Sequence, residues 1–232
     1  MNPTPLDEHA GAHLDAIRQS YDTVAADYAR FVKDPGALDP VSRAVLSAFA
    51  ELVASSGLGS TADVGCGPGK VTAYLTGLGV PAFGVDLSPR MIELARAAHP
   101  DLRFDVGSMT ALAAGDGELG GVLAFYSTHH LPPAELPQAY EEFHRALAPG
   151  GHLLLVTRVG EEEHQRRTYG YGDDGDPAPF DSYRLPADRI AELLERTGFA
   201  ITAQTLQTPE EGAKRPVVSF LVRKPAVDDT AP

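Results

Sequence analysis

The chain has 232 residues, 43% apolar and 22% charged, with a formal net charge of −13, which suits one substantial core in a water-exposed fold and repels phosphate backbones, so no nucleic-acid partner is expected. No apolar run reaches membrane-spanning length, so no membrane partner is expected either. A single cysteine, Cys66, leaves no intramolecular disulfide and no thiolate zinc site, and with the polar N-terminus it sets a cytoplasmic expectation.

From Leu14 to Val32 the apolar residues Leu14, Ile17, Tyr21, Val24, Tyr28, Phe31 and Val32 fall at the spacing of one or two amphipathic helices. Asp39-Pro40 reads as the cap and first position of the next helix, whose stripe is Val45, Leu46, Phe49, Leu52 and Val53. Short strands then alternate with helices. "TADV" leads into a glycine-rich turn and a helix from Lys70 to Thr76. "AFGVD" precedes a helix from Ser88-Pro89 to Arg96, and "LRFDV" and the buried "GVLAFYS" follow. A helix from Pro133 to Ala148 is stopped by Pro149-Gly150-Gly151, before the strand "HLLLVT". This rhythm predicts a parallel sheet covered by helices on both faces. Residues 160–182 interrupt it with a long stretch of no clear periodicity, read as a lid or a solvated loop. A helix from Leu185-Pro186 to Thr197 follows. The strands "AITAQTL" and "VVSFLVRK", with no helix between them, then pair as an antiparallel hairpin.

The glycine-rich turn, "ADVGCGPGK", spans residues 62–70 and places Gly65, Gly67 and Gly69 just after a strand and before a helix. That is where a doubly wound sheet binds nucleotides. Three further features fall into line with it. Asp86 ends the second strand, 21 residues beyond Gly65, where a carboxylate accepts both hydroxyls of a ribose. Leu87 and Met91 offer an apolar wall to a purine, and Gly107, Ser108 and Met109 offer hydrogen bonds to an adenine edge. The spacing G-x-G-x-G departs from the dinucleotide fingerprint, and no Lys or Arg precedes Lys70 in the turn to meet a pyrophosphate. A phosphate-free adenosine derivative fits better.

Taken in order, "ADVGCGPG", "GVDLSPRMIELAR", "GSMTAL", "FYSTHHL" and "RALAPGGHLLLV" resemble the successive motifs of class I S-adenosylmethionine-dependent methyltransferases. The nearest likeness is to small bacterial members of the methyltransferase-11/25 type, over roughly Tyr21 to Lys224. The resemblance implies an α/β, Rossmann-like, doubly wound sheet of seven strands in the order 3-2-1-4-5-7-6, the seventh antiparallel. It implies a single domain over residues 1–232, with a cap through residue 36, a core over 40–224, a lid insertion at 160–182 and a tail at 225–232. By the same resemblance Gly65, Cys66 and Gly67 pass the methionine moiety along their backbone and Asp63 orders that turn. Asp86 holds the ribose, and the Phe125 carbonyl faces the amino group.

"SYDTVAADYARF" is similar to the family's cap helix. Tyr21 and Tyr28, seven apart, either meet a sulfonium through their rings or simply pack. In "THH", His130 is the candidate base, with His129 beside it, or His130 packs against the cofactor or caps the next helix. Tyr169, Tyr171, Phe180 and Tyr183 favour an ordered lid over the acceptor, with Arg158 or Arg184 to meet an anionic group. The implied activity is methyl transfer from S-adenosylmethionine to O or N, less readily C, of a small molecule in specialised metabolism, by a monomer or homodimer without a metal. The alternative is a non-catalytic module that binds and senses the same cofactor. A nucleotide-linked oxidoreductase is the third reading.

Overall fold

A computed structural model describes residues 5–171, 175–208 and 216–226. The expected tail lies outside them from residue 227 onward, as does the side chain of Tyr169.

The first helix, α1 (Pro5–Phe31), is one continuous element of 27 residues, so its single apolar stripe is presented on one rigid rod. Asp39 then caps α2 (Pro40–Ser56), its Oδ1 accepting from the Val41 and Ser42 amides at 3.0 and 2.9 Å. Pro40, with no N–H to leave unpaired, takes the first helical position.

The core alternates as the sequence predicts: β1 (Thr61–Val64), α3 (Lys70–Gly77), β2 (Ala82–Asp86), α4 (Pro89–Ala98), β3 (Phe104–Val106) and β4 (Leu119–Phe125). Two boundaries then differ. Helix α5 (Leu136–Ala146) starts three residues after Pro133 and ends two before Ala148. Strand β5 (Leu147–Arg158) absorbs the residues between that helix and "HLLLVT". Leu147 has already turned to ψ 136°, so the helix stops before the Pro149-Gly150-Gly151 signal is reached.

The segment expected as a lid or solvated loop contains a hairpin, β6 (Glu163–Tyr169) and β7 (Ala178–Arg184), in register from Glu163↔Arg184 to Tyr169↔Ala178. It forms a separate two-stranded sheet. Beyond it come α6 (Ala187–Arg196), β8 (Ala200–Gln207) and β9 (Val217–Arg223).

The main sheet runs β3-β2-β1-β4-β5-β9-β8. Its first five strands are parallel, whereas β9 is antiparallel to both β5 and β8. With the hairpin set aside, this is the order 3-2-1-4-5-7-6 with the last strand reversed. One face packs Leu46, Phe49 and Val53 of α2 and Leu75 of α3 on Leu123, Leu154 and Val156. The other packs Tyr140 and Phe143 of α5 and Ile190 and Leu194 of α6 on Val122, Leu153 and Leu155. Chain order reverses between β1 and β4, so a crevice opens at their carboxyl ends. Among the described residues no helix is long and apolar enough to cross a membrane.

Candidate active site

The crevice is built first by backbone. After β1 the chain turns through Gly65 at φ +75° and Gly67 at φ +53°, conformations that carry little penalty only for glycine. A Cβ on Gly65 would lie 2.4 Å from the Cβ of Ser127, so this position is also a close approach between two strand ends. The turn is tied to β2 by Asp86, whose Oδ2 accepts from the Gly67 amide and Oδ1 from the Ser88 amide, both at 2.8 Å. A carboxylate offers about four lone-pair sites, so two remain for hydroxyls of a ligand. Burial raises the Asp86 pKa; the two amides oppose that shift and the charge of Asp22 adds to it.

Asp63 and Cys66 stand behind the turn and do not line the crevice. Asp63 is 1% exposed and its Oδ2 accepts from the Thr72 hydroxyl at 2.6 Å, which fastens β1 to α3. Burial pushes its carboxyl up to about 7, against the Thr72 hydrogen bond and aided by the charge of Asp86. Cys66 is buried with Ile92, Ala95 and Phe104. Burial, then the charges of Asp86 and Asp63, push its thiol well above the usual range, the opposite of a nucleophile's requirement.

A cavity of about 740 Å³, counted out to its open mouth and into the solvent there, fills the crevice. Gly65, Gly67, Asp86, Leu87, Met91, Gly107, Ser108, Met109 and Phe125 line it, together with His130 and, from α1, Tyr21 and Tyr28. His129 does not. Residues that the sequence reading passed over also line it: Leu14, Ile17 and Arg18 of α1, and Ser88, Tyr126, Ser127 and Leu131. Arg18 was within reach of sequence reasoning, since it falls on the helix face of Leu14 and Tyr21. Tyr126 and Ser127 carry no pattern. Tyr126 takes φ +56°, an unusual conformation for a bulky residue, as the chain leaves β4 at the cavity wall. Arg158 and Arg184 are not among the lining residues. The first lies 6.0 Å over the Tyr126 ring, and the second is 7% exposed and paired with Glu163 at 2.9 Å.

Helix α1 closes the cavity and is held from several sides. Asp22 Oδ1 accepts from the Ser88 hydroxyl at 2.6 Å and from the Arg90 amide at 3.2 Å, so α1 supplies part of the cap of α4. His13 Nε2 donates to the His130 carbonyl at 2.8 Å, and the Ser20 hydroxyl donates to the Pro179 carbonyl. The hairpin rests on α1 through Ala178, Phe180 and Tyr171, which cluster with Val24, Tyr21 and Tyr28. Tyr183 instead stacks on His164, with ring centres 4.5 Å apart.

His130 lies where these elements meet and is 6% exposed. Its Nδ1 is 2.8 Å from the Asp181 carbonyl, which can only accept, so Nδ1 carries the proton of the neutral ring. Its Nε2 is 2.6 Å from the Tyr21 hydroxyl. Burial drives the imidazole down to about 4, although the Asp181 carbonyl pulls the other way, and His130 is uncharged at pH 7. The ring of His129 lies 4.1 Å from it, and desolvation, then the charges of His130 and Arg158, hold its pKa well below the usual range. Among the described residues no group of three or more His, Cys, Asp or Glu could hold a metal ion.

Residues 62–151 match the profile of a family described as "Methyltransferase domain". An uncharacterized methyltransferase from Synechocystis is 34% identical over 94 residues, covering 40% of this chain and 44% of that protein. A 2-heptyl-1-hydroxyquinolin-4(1H)-one methyltransferase from Mycobacteroides abscessus is 33% identical over 104 residues, covering 42% of this chain and 45% of that one. The chain thus spans less than half the length of either relative. The crystal structure of 1,6-didemethyltoxoflavin-N1-methyltransferase from Burkholderia thailandensis, with 1,6-didemethyltoxoflavin and S-adenosylhomocysteine bound, superposes with a TM-score of 0.62. It covers 97% of this chain and 92% of that one at 21% identity, a likeness of fold.

Proposed function

Residues 62–151 being a methyltransferase domain of the class I fold, we propose that the chain transfers a methyl group from S-adenosylmethionine to an O or N atom of a small molecule. The observation that carries this reading is one cavity that joins a ribose-ready carboxylate, Asp86, to a neutral imidazole, His130.

The residues present fit the donor. Gly65 and Gly67 leave room for a ligand to run along their backbone, Asp86 keeps lone pairs for the ribose, and Leu87 and Met91 flank the place of a purine near Ser108. When bound, S-adenosylmethionine supplies a methyl group already activated on a positively charged sulfur. The protein's share is then alignment and exclusion of water, for which α1 forms the cover. The rings of Tyr21 and Tyr28 offer a cation about 0.5–2 kcal/mol of attraction. A neutral imidazole at the end of β4 is suited to take a proton from an acceptor that arrives protonated.

A small acceptor is supported by the cavity, by the charge of −13 and by the quinolone and toxoflavin compounds in the relatives' names. The test is a screen of small hydroxyl- and amine-bearing acceptors with radiolabelled S-adenosylmethionine. Methyl incorporation that falls at least 30-fold in His130→Gln is expected. Tight cofactor binding with no incorporation into any acceptor would replace this reading with a non-catalytic, cofactor-sensing module.

A further inference from the structure

We propose that Tyr21 presents the proton-accepting oxygen to the acceptor, with His130 holding the proton behind it, so that the two act as one relay. This rests on the methyl-transfer reading above.

The donors and acceptors allow one arrangement in the neutral site. The Asp181 carbonyl takes the Nδ1 proton of His130, which leaves the lone pair of that ring on Nε2. The partner of that lone pair is the Tyr21 hydroxyl, 2.6 Å away, and a hydroxyl facing a bare imidazole nitrogen must donate. The basic nitrogen is therefore already engaged. Tyr21 lines the cavity, so the proton of an acceptor that enters it comes to that engaged nitrogen by way of the phenol oxygen. In the resulting step the acceptor O–H or N–H bond breaks, and its proton joins Tyr21 Oη as the proton of Tyr21 passes to His130 Nε2. The acceptor is left as its conjugate base, Tyr21 is neutral before and after, and His130 carries the positive charge with both ring protons hydrogen-bonded.

Two separate elements fix this pair. From α1, His13 holds the His130 carbonyl. From β7, Asp181 holds Nδ1, and Phe180 meets the Tyr21 ring edge-on at 5.1 Å. The Tyr21 and His130 rings themselves meet edge-on, with centres 5.3 Å apart and planes at 84°. The groups that face His130 are Tyr21 and His13 on α1, His129 beside it, Asp181 on β7 and Arg158 on β5. The one carboxylate among them is turned to His164 and Arg166. Among the described residues the hydrogen bond at Nε2 is Tyr21's, and the charge of Arg158 acts against protonation of the ring.

Histidine-selective ¹⁵N labelling of the whole chain and long-range proton–nitrogen spectra at pH 7 test the relay without an acceptor. The expected result is a His130 protonated at Nδ1, with an Nε2 signal that moves downfield in Tyr21→Phe while the other seven histidines stay in place. Calorimetry with S-adenosylhomocysteine is the second readout, and its affinity should stay within twofold in Tyr21→Phe, because the ring is retained. A His130 protonated at Nε2, or an Nε2 signal indifferent to Tyr21→Phe, overturns the relay. So does a tenfold or larger loss of affinity, which would place the hydroxyl in the cofactor's own site. Failure of the unaltered protein to bind S-adenosylhomocysteine overturns the methyl-transfer reading, and the relay with it.

Discussion

His130 and Asp63 are buried ionisable groups whose burial favours the neutral form of each, with opposite consequences for pH. The His130 pKa is lowered from 6.5 to about 4, so between those values the unfolded chain binds a proton that the folded one refuses. Stability falls as pH drops through that window, by the linkage of proton binding to folding. The Asp63 pKa is raised from 3.8 to about 7, so the folded state holds the extra proton and stability rises as pH drops through that range. The two windows overlap, and each masks the other in the native protein. Removing one should expose the other: His130→Gln is expected to keep or gain melting temperature between pH 6.5 and 4.5, where the unaltered protein gains less or loses. Thermal melts at half-unit pH steps check this, and parallel curves for the two proteins would count against a neutral buried His130.

Among the elements, α1 bears most directly on function, because it both covers the cavity and contributes to its lining. Its grip on the core runs through Asp22, which serves the Ser88 hydroxyl and the Arg90 amide at the start of α4. Asp22→Ala leaves the sheet untouched. It is expected to speed hydrogen exchange in α1 at least tenfold and to weaken cofactor affinity severalfold, with little change in protection of β4 and β5. Equal exchange in α1 would show that the contacts with the hairpin alone hold it. That hairpin was the element least legible in the sequence. "EHQRRTY" shows no apolar alternation, and residues 163–168 of β6 are exposed or half-buried. The pattern survives only in β7, where Ala178 and Phe180 are buried and Pro179 is exposed. Two buried residues in a short strand are too few to stand out from a loop. By contrast, the α1 stripe at Leu14, Ile17, Tyr21 and Tyr28 was readable, and the same face carries Arg18, a cation in the cavity wall.

Over the whole molecule, the strand order came from the resemblance to the methyltransferase family, whereas the antiparallel pairing of the last two strands was legible in the turn-rich sequence between them. Strand β9 accordingly runs against both its neighbours. The residues proposed to hold an adenosine stood out in the sequence because they follow the carboxyl ends of strands, where the fold gathers ligands, and they line one cavity. Tyr126 and Ser127 did not, since a left-handed turn at a bulky residue leaves no mark in composition. Nor did the partnership of Tyr21 with His130, which depends on a helix and a strand end 109 residues apart in sequence.

The account as a whole rests on Asp86 holding a ribose in this cavity. Calorimetric titration with S-adenosylmethionine, with Asp86→Ala in parallel and NAD as competitor, tests that directly. Loss of hydrogen bonds to a charged group costs about 1.5–3 kcal/mol, or roughly ten- to 150-fold in affinity. Binding to the unaltered protein that weakens by that factor in Asp86→Ala, and is not displaced by NAD, is the predicted result. A folded, cofactor-free protein that does not bind S-adenosylmethionine, or one whose binding ignores Asp86→Ala, would contradict the account.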